Sequence, residues 1–175
     1  MSLNAKKLAF LGLLLAFDVI LLILSGIIEF NTLFLLAAAS FCVGIAIREA
    51  GKNMGLGFYL GSILLGLILA PNKLYCITYA GMGLYVVLIE YFYDRLSKFQ
   101  GNRLRLYWVI KFVVFNVMYL PMLLLMPKLI YTGKINSIII VVLFVAGQLV
   151  LFLYDRAYDY FQRHIWGKLR IHLKL

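Results

Sequence analysis

Six long apolar stretches, each near the length of a membrane-crossing helix, constrain this chain more than any other feature. A helix needs about 20 predominantly apolar residues to cross the hydrocarbon of a bilayer. Short polar segments such as EFNT, REAGKN and PNK separate the stretches. The predicted spans are 8–28, 32–48, 53–71, 74–94, 104–126 and 136–155.

Composition and backbone chemistry both favour helices in lipid. Of the 175 residues, 65% are hydrophobic and 14% are charged, whereas about a quarter of a soluble domain is charged. Backbone groups in hydrocarbon must be satisfied within the protein, and the alternation typical of transmembrane strands is absent. The predicted fold class is therefore all-α: a polytopic membrane protein whose six transmembrane helices form one compact bundle, a single integral membrane domain over residues 1–175.

The basic residues orient this bundle. The chain has 17 lysines and arginines, 7 acidic residues and a net charge of +10, and basic residues concentrate on the cytoplasmic side of membrane proteins. With a cytoplasmic N-terminus, the outer side holds only Lys73, Lys128 and Lys134. The cytoplasmic side then holds Lys6, Lys7, Arg48, Lys52, Arg95, Lys98, Arg103, Arg105, Arg156, Arg163, Lys168, Arg170 and Lys174.

This asymmetry predicts that both termini are cytoplasmic and that residues 156–175 form a basic tail lying on the membrane. The predicted location is a bacterial cytoplasmic membrane, with multiple passes. The positive charge is explained by topology and by anionic lipid head groups. A nucleic-acid partner is not expected, because the chain has no basic soluble domain.

The sequence contains none of the common catalytic or metal-binding motifs. G-x-S-x-G, the P-loop, H-E-x-x-H and C-x-x-C are all absent. Cys42 and Cys76 fall at different predicted depths, so a disulfide between them is not expected. We therefore predict that the chain is not an enzyme and that it has no metal site and no cofactor.

Four polar residues lie deep within the predicted spans. Asp18 interrupts the run LLLAFDVILLIL, about 15 Å into the first helix at the helical rise. Asn116 and Gln148 fall at a similar depth, and Lys111 lies nearer the cytoplasm. A charge at a helix centre costs about 2.5–3.5 kcal/mol on insertion scales, so Asp18 is predicted to pair with Lys111, Asn116 or Gln148. This cluster is either a structural clasp between helices or the polar floor of a solute cavity.

A second polar group lies at the outer ends of the helices. Amides, hydroxyls and aromatic rings around an apolar wall suit a small amphiphilic ligand. An ordinary polar rim with an aromatic belt would have the same composition. The candidate ligand-binding residues are Glu29, Asn31, Asn72, Lys73, Tyr75 and Tyr79.

Small residues on the first helix indicate close helix packing. Gly12 and Ala16 are four residues apart, a spacing that lets helix backbones approach closely. Either these residues pack within the bundle or they face a partner protein. Sequence cannot decide between the two, because apolar residues surround each helix.

Two stretches resemble a known transporter family. The run KKLAFLGLLLAFDVILL, with Gly12-x-x-x-Ala16 in place of an A-x-x-x-A motif, is similar to the first helix of the substrate-binding S components of energy-coupling factor (ECF) transporters. The region GFYLGSILLGLILAPNKLYCITYAGMGLY resembles their third and fourth helices. Signatures of the riboflavin, thiamine and biotin subfamilies are absent.

This resemblance implies a function in uptake. An S component captures a vitamin, a related micronutrient or a metal ion with high affinity at the extracellular side. It then docks on a membrane-embedded T component, which couples it to two ATPase subunits. By this resemblance, Gly12 and Ala16 map to the docking face.

Two other functions fit the sequence. A membrane scaffold such as the MreD-like cell-shape proteins has similar spans and predicts no solute cavity. A small membrane enzyme acting on lipid head groups predicts an ionisable cluster at the cytoplasmic interface. The acids present there are Glu90, Asp94, Asp155 and Asp159.

Overall fold

The computed structural model describes residues 5–96, 102–125 and 136–173. Lys98, Lys128, Lys134 and Lys174, which contribute to the predicted orientation, lie outside the described residues, as do position 126 of the fifth span and the last two residues of the tail. The helices are α1 (Ala5–Ile27), α2 (Thr32–Ala50), α3 (Lys52–Leu69), α4 (Lys73–Leu96), α5 (Arg103–Leu125), α6 (Ser137–Tyr160) and α7 (Gly167–Leu173).

The predicted fold class is confirmed. Six helical segments of the described chain are long and apolar enough to cross a membrane. They pack side by side as an all-α bundle, and no strand occurs within the described ranges. The orientation, with both termini inside, stays a prediction. Below, the end of the bundle that holds the start of α1 is called the inner end, and the opposite end is called the outer end.

Helix α2 forms the centre of the bundle. It packs against α1, α3 and α4, and its residues Leu36, Ala39, Val43 and Ala46 are fully buried. The small side chains on this helix let its neighbours approach closely. Helix α5 packs instead against α4 and α6. Apolar side chains such as Leu13, Leu64 and Val113 are exposed, as in a bundle whose solvent is lipid.

Tight connections join the first four helices. Gly51 links α2 to α3 with a φ of +89°, a region that glycine adopts without steric cost. At the outer end, a Cβ on Gly26 would lie 2.6 Å from Cγ of Pro71. The end of α1 therefore touches the connection between α3 and α4. Asn72 in that connection accepts a hydrogen bond from the Leu74 backbone N–H at 3.0 Å and so caps the start of α4.

The sixth helix extends well beyond its predicted end at residue 155. Helix α6 continues through a π-helical turn, Phe161–Trp166, into α7. Tyr158, Gln162 and Trp166 are buried, and their spacing of four residues puts them on one face of a helix. That face packs on α2 and α1, so much of the predicted membrane-surface tail is instead part of the bundle.

Candidate functional sites

The four deep polar residues do not form one cluster, and the predicted pairing of Asp18 is wrong. Asp18 is fully buried, and its Oδ2 accepts a hydrogen bond from the Tyr79 hydroxyl of α4 at 2.7 Å. The Asp18 Oδ1 and the nearby hydroxyl of Ser62 on α3 are buried and have no hydrogen-bond partner among the described residues. The pairing fails because the side of α1 that carries Asp18 packs against α3 and α4, whereas Lys111 belongs to α5.

Lys111 is held in a buried ion network between α5 and α6. Its Nζ lies 2.7 Å from Oδ1 of Asp155 and 3.4 Å from Oδ2 of Asp159. The Tyr85 hydroxyl of α4 donates to Oδ1 of Asp155 at 3.2 Å. Lys111 and Asp155 are 2% and 0% exposed, so each charge depends on the other for compensation. A small cavity of about 130 Å³ lies beside the pair, lined also by Trp108, Phe112 and Phe152.

Asn116 and Gln148 bind each other. The Gln148 amide donates to the Asn116 carbonyl oxygen at 3.0 Å, and the Asn116 amide donates back at 3.3 Å. This reciprocal pair joins α5 to α6. The sequence analysis left open whether the deep polar residues form a structural clasp or the floor of a cavity. This pair has the geometry of a clasp, but α1 takes no part in it.

The predicted outer residues divide between the surface and the interior. Asn31 and Lys73 are exposed and Tyr75 is half-buried, while the Nζ of Lys73 donates to the Ala70 carbonyl oxygen at 2.9 Å. Tyr79 is fully buried against Asp18, so it lies apart from the exposed Asn31 and Lys73, and its role in ligand binding stays a prediction. Glu29 lies in a 3₁₀ turn between α1 and α2, Glu29–Asn31. Asn72 lies just before α4, and Pro71 beside it lies close to Gly26 in the last turn of α1.

A larger recess than the cavity beside Lys111 lies at the inner end, opposite the predicted ligand end. It has a volume of about 710 Å³, and its walls come from the ends of α2 and α4, the start of α3 and α7. We call it the inner recess. Its charged lining residues are Arg48, Lys52, Glu90, Asp94 and Arg170.

Each cation of the inner recess is held by a carboxylate. Arg48 donates through Nε and Nη2 to Oε1 of Glu90 at 3.0 and 2.5 Å, and Lys52 lies 3.1 Å from Asp94. Arg170 lies 3.1 Å from Glu49. Glu49 and Glu90 are 6% and 5% exposed, so these ion pairs anchor the arginines firmly in the wall.

Aromatic side chains of the sixth helix complete this network. The Tyr158 hydroxyl donates to Oε1 of Glu90 at 2.6 Å, and the Trp166 indole N–H donates to Oε1 of Glu49 at 3.0 Å. The sequence analysis missed this role, because it ended the span at residue 155. The four-residue spacing of Tyr158, Gln162 and Trp166 is the signal that could have revealed it.

The four acids predicted for a lipid-acting enzyme are thus divided between two separate places. Glu90 and Asp94 line the inner recess, whereas Asp155 and Asp159 bind Lys111. No group of three or more metal-ligating side chains occurs within the part of the chain that the structure covers.

The small residues of α1 lie on its outward face. Gly12 and Ala16 are exposed, and a Cβ added at Gly12 would have no neighbour within 4 Å. The opposite face, with Leu11, Leu14 and Asp18, is buried in the bundle. The alternative that these small residues serve packing within the bundle is therefore wrong.

The fold and these sites define a multi-pass helical membrane protein with buried ion pairs. Comparisons of the chain with protein-family models, with curated proteins and with solved structures gave no match.

Proposed function

We propose that the chain is a membrane-embedded, high-affinity binding subunit for a vitamin or related micronutrient, the S component of an ECF-type transporter. In this proposal it has no catalytic activity and works with a T component and two ATPase subunits. The observation that carries the proposal is the outward, unpacked small-residue face of α1 at Gly12 and Ala16.

The chemistry of lipid explains why that face supports docking. A helix face that meets only lipid tails gains nothing from small side chains, since lipid fills any groove. Small residues four apart instead favour close approach of another helix, with van der Waals contact along the backbones. Gly57, on the neighbouring helix α3, is also exposed and has open space at its Cβ position. Gly57 therefore offers a second unpacked small residue, on a helix that packs against α1.

The proposal assigns the ligand to the outer end. Asn31 and Lys73 supply an exposed amide and a cation there, and Tyr75 supplies a half-buried ring. The last turn of α1 lies close to this end of the bundle, because Gly26 is packed near Pro71 of the connection between α3 and α4.

The docking assignment is tested by co-purification. The affinity-tagged chain is isolated from its native membrane in mild detergent, and ATPase and T subunits are identified by mass spectrometry. Gly12→Leu is expected to reduce their recovery at least tenfold, because the leucine side chain holds the partner helix away. Gly81→Leu on α4 is the matched control, since Gly81 also has no neighbour within 4 Å of its Cβ position.

Two results would contradict the proposal. Recovery of the transporter subunits at wild-type levels with Gly12→Leu would show that Gly12 is not part of a docking face. Absence of any ATPase partner, together with no small molecule retained in native mass spectrometry, would instead favour a scaffold. The ligand end is tested separately: Asn31→Ala and Lys73→Met are expected to lose a retained small molecule while still recovering the ATPases.

A further inference from the structure

The inner recess carries more hydrogen-bond donors than the protein uses. A guanidinium has five N–H donors and a lysine ammonium has three. Arg48 uses Nε and Nη2 on Glu90, which leaves Nη1 without a partner among the described residues. Arg170 joins the described chain through one ion pair, from Nε to Glu49. The acids thus hold these arginines in position and leave further donors for a ligand.

The first turn of α3 adds backbone donors to the same wall. Gly51, Lys52, Asn53 and Met54 line the recess, and no side chain caps this helix end. The first N–H groups of a helix have no intrahelical acceptor, and they favour anionic groups. Together with three cationic side chains, they make one side of the recess suited to a phosphate.

The recess also offers carboxylate acceptors. Every hydrogen bond that Glu90 accepts goes to Oε1, so Oε2 has no hydrogen-bond donor in the described part of the protein. Asp94 is 62% exposed at the mouth of the recess. With three cations and two carboxylates lining it, the recess is nearly neutral overall. Such a wall favours a zwitterion that carries both a phosphate and an ammonium over a polyanion.

The position of the recess identifies the source of such a ligand. Arg48 and Asp94 each lie two residues before the end of a membrane-spanning helix, and Lys52 begins the next one. Helix ends lie at the level of the lipid head groups. Basic pockets between transmembrane helices at this level are known head-group sites. We propose that the inner recess binds the head group of an ethanolamine phospholipid.

Each part of the head group has its own partners. The phosphate contacts Arg48, Lys52 and Arg170, with the first amides of α3 behind them. The primary ammonium donates to Oε2 of Glu90 and to Asp94. This site requires neither the transport function nor a particular orientation, because either leaflet can supply the lipid.

The proposal is tested by lipid competition in native mass spectrometry of the detergent-purified full chain. Phosphatidylethanolamine and phosphatidylcholine with the same acyl chains are added in equal amounts. Both are zwitterions, but the choline ammonium has no N–H to donate. We expect about a tenfold preference for phosphatidylethanolamine, which corresponds to about 1.4 kcal/mol.

Variants separate the two halves of the site. Arg170→Gln is expected to weaken retention of both lipids several-fold. Asp94→Asn should reduce the preference for phosphatidylethanolamine several-fold without lowering phosphatidylcholine retention, because it removes one of the two carboxylates assigned to the ammonium. Arg163→Gln is the control, because Arg163 is exposed on the same continuous helix and lies outside the recess. Thermal unfolding of each variant verifies the fold. Arg170→Gln is expected to lower the unfolding temperature, because it removes the cation paired with the buried Glu49, so lipid retention is compared at a temperature where every variant is folded.

Three results would overturn the proposal. Equal retention of the two lipids would show that the protein does not accept hydrogen bonds from the lipid ammonium. Stronger retention of phosphatidylglycerol than of phosphatidylethanolamine would show that the recess prefers an anionic head group to a zwitterionic one. Displacement of the lipid by free phosphoethanolamine at an equal concentration would identify the ligand as a soluble metabolite.

Discussion

At the scale of single residues, the buried charges are stabilised by partners on distant parts of the chain. Lys111 pairs with Asp155, and Arg48 pairs with Glu90. The sequence identified Asp18 and Lys111 as costly residues that need partners, and both have them. It could not identify the partners, because equal depth in the membrane does not mean the same side of the bundle.

The Lys111–Asp155 pair gives a prediction on stability. Lys111→Met should lower the free energy of unfolding by about 3–5 kcal/mol, because it leaves the buried Asp155 carboxylate without its counter-charge. The double variant Lys111→Met/Asp155→Leu should recover most of that loss. Thermal unfolding in a mild detergent measures both, and a double variant no more stable than the single one would contradict this account.

Asp18 gives a second prediction at this scale. Asp18→Asn keeps an oxygen that can accept from the Tyr79 hydroxyl, so its unfolding temperature should stay close to that of the wild type. Asp18→Leu leaves that hydroxyl buried without an acceptor and should cost about 1–3 kcal/mol. We expect neither variant to change topology, which a reporter fused to the C-terminus would detect. Equal unfolding temperatures for the two variants would show that the hydrogen bond contributes little.

At the scale of the elements, the end of the sixth helix decides how the bundle closes. Tyr158 lies directly against Gly44 of α2, and Gln162 donates to the Phe41 carbonyl oxygen at 3.3 Å. The predicted span ended at residue 155, next to the charged residues Asp155, Arg156 and Asp159. In the fold, two of these residues neutralise Lys111, and the helix continues along α2.

Close packing at Gly44 makes the contact between these helices testable. A Cβ at Gly44 would meet the Tyr158 hydroxyl and lie 2.8 Å from Nε2 of Gln162. Gly44→Ala should therefore displace the sixth helix and cost about 1–3 kcal/mol by overpacking. Gly57→Ala is the matched control, because a Cβ there has open space and alanine is the better helix former. Thermal unfolding of both variants measures the difference; a Gly44→Ala protein as stable as the control would contradict this packing.

At the scale of the whole molecule, the described basic residues that the sequence analysis assigned to one side of the membrane lie at one end of the bundle. Arg48, Lys52 and Arg170 come from separate segments and line one recess at the end where α1 begins. The ligand residues predicted for the other end lie in the turn between α1 and α2, at Asn72 and in the first two turns of α4. The molecule therefore has a strongly charged end and a weakly charged end, and the positive-inside rule predicts that the charged end faces the cytoplasm.

Topology is predicted directly from this asymmetry. A C-terminal green fluorescent protein should fluoresce and a C-terminal alkaline phosphatase should be inactive, because the tail is expected in the cytoplasm. The same phosphatase fused after Asn72 should be active, since that position begins the fourth helix at the outer end. The reverse pattern of activities would show that the bundle is inverted, and with it the assignment of the outer ligand end.

The number of helices and the charge of each end follow from sequence alone, since hydrocarbon thickness sets the length of an apolar run and basic loops resist translocation. The arrangement within the membrane follows only from the tertiary structure. In lipid, apolar side chains surround every helix, so no amphipathic stripe marks the face that turns inward. The fold therefore decided that Gly12 faces outward, that Asp18 meets Tyr79, and that the sixth helix packs along α2.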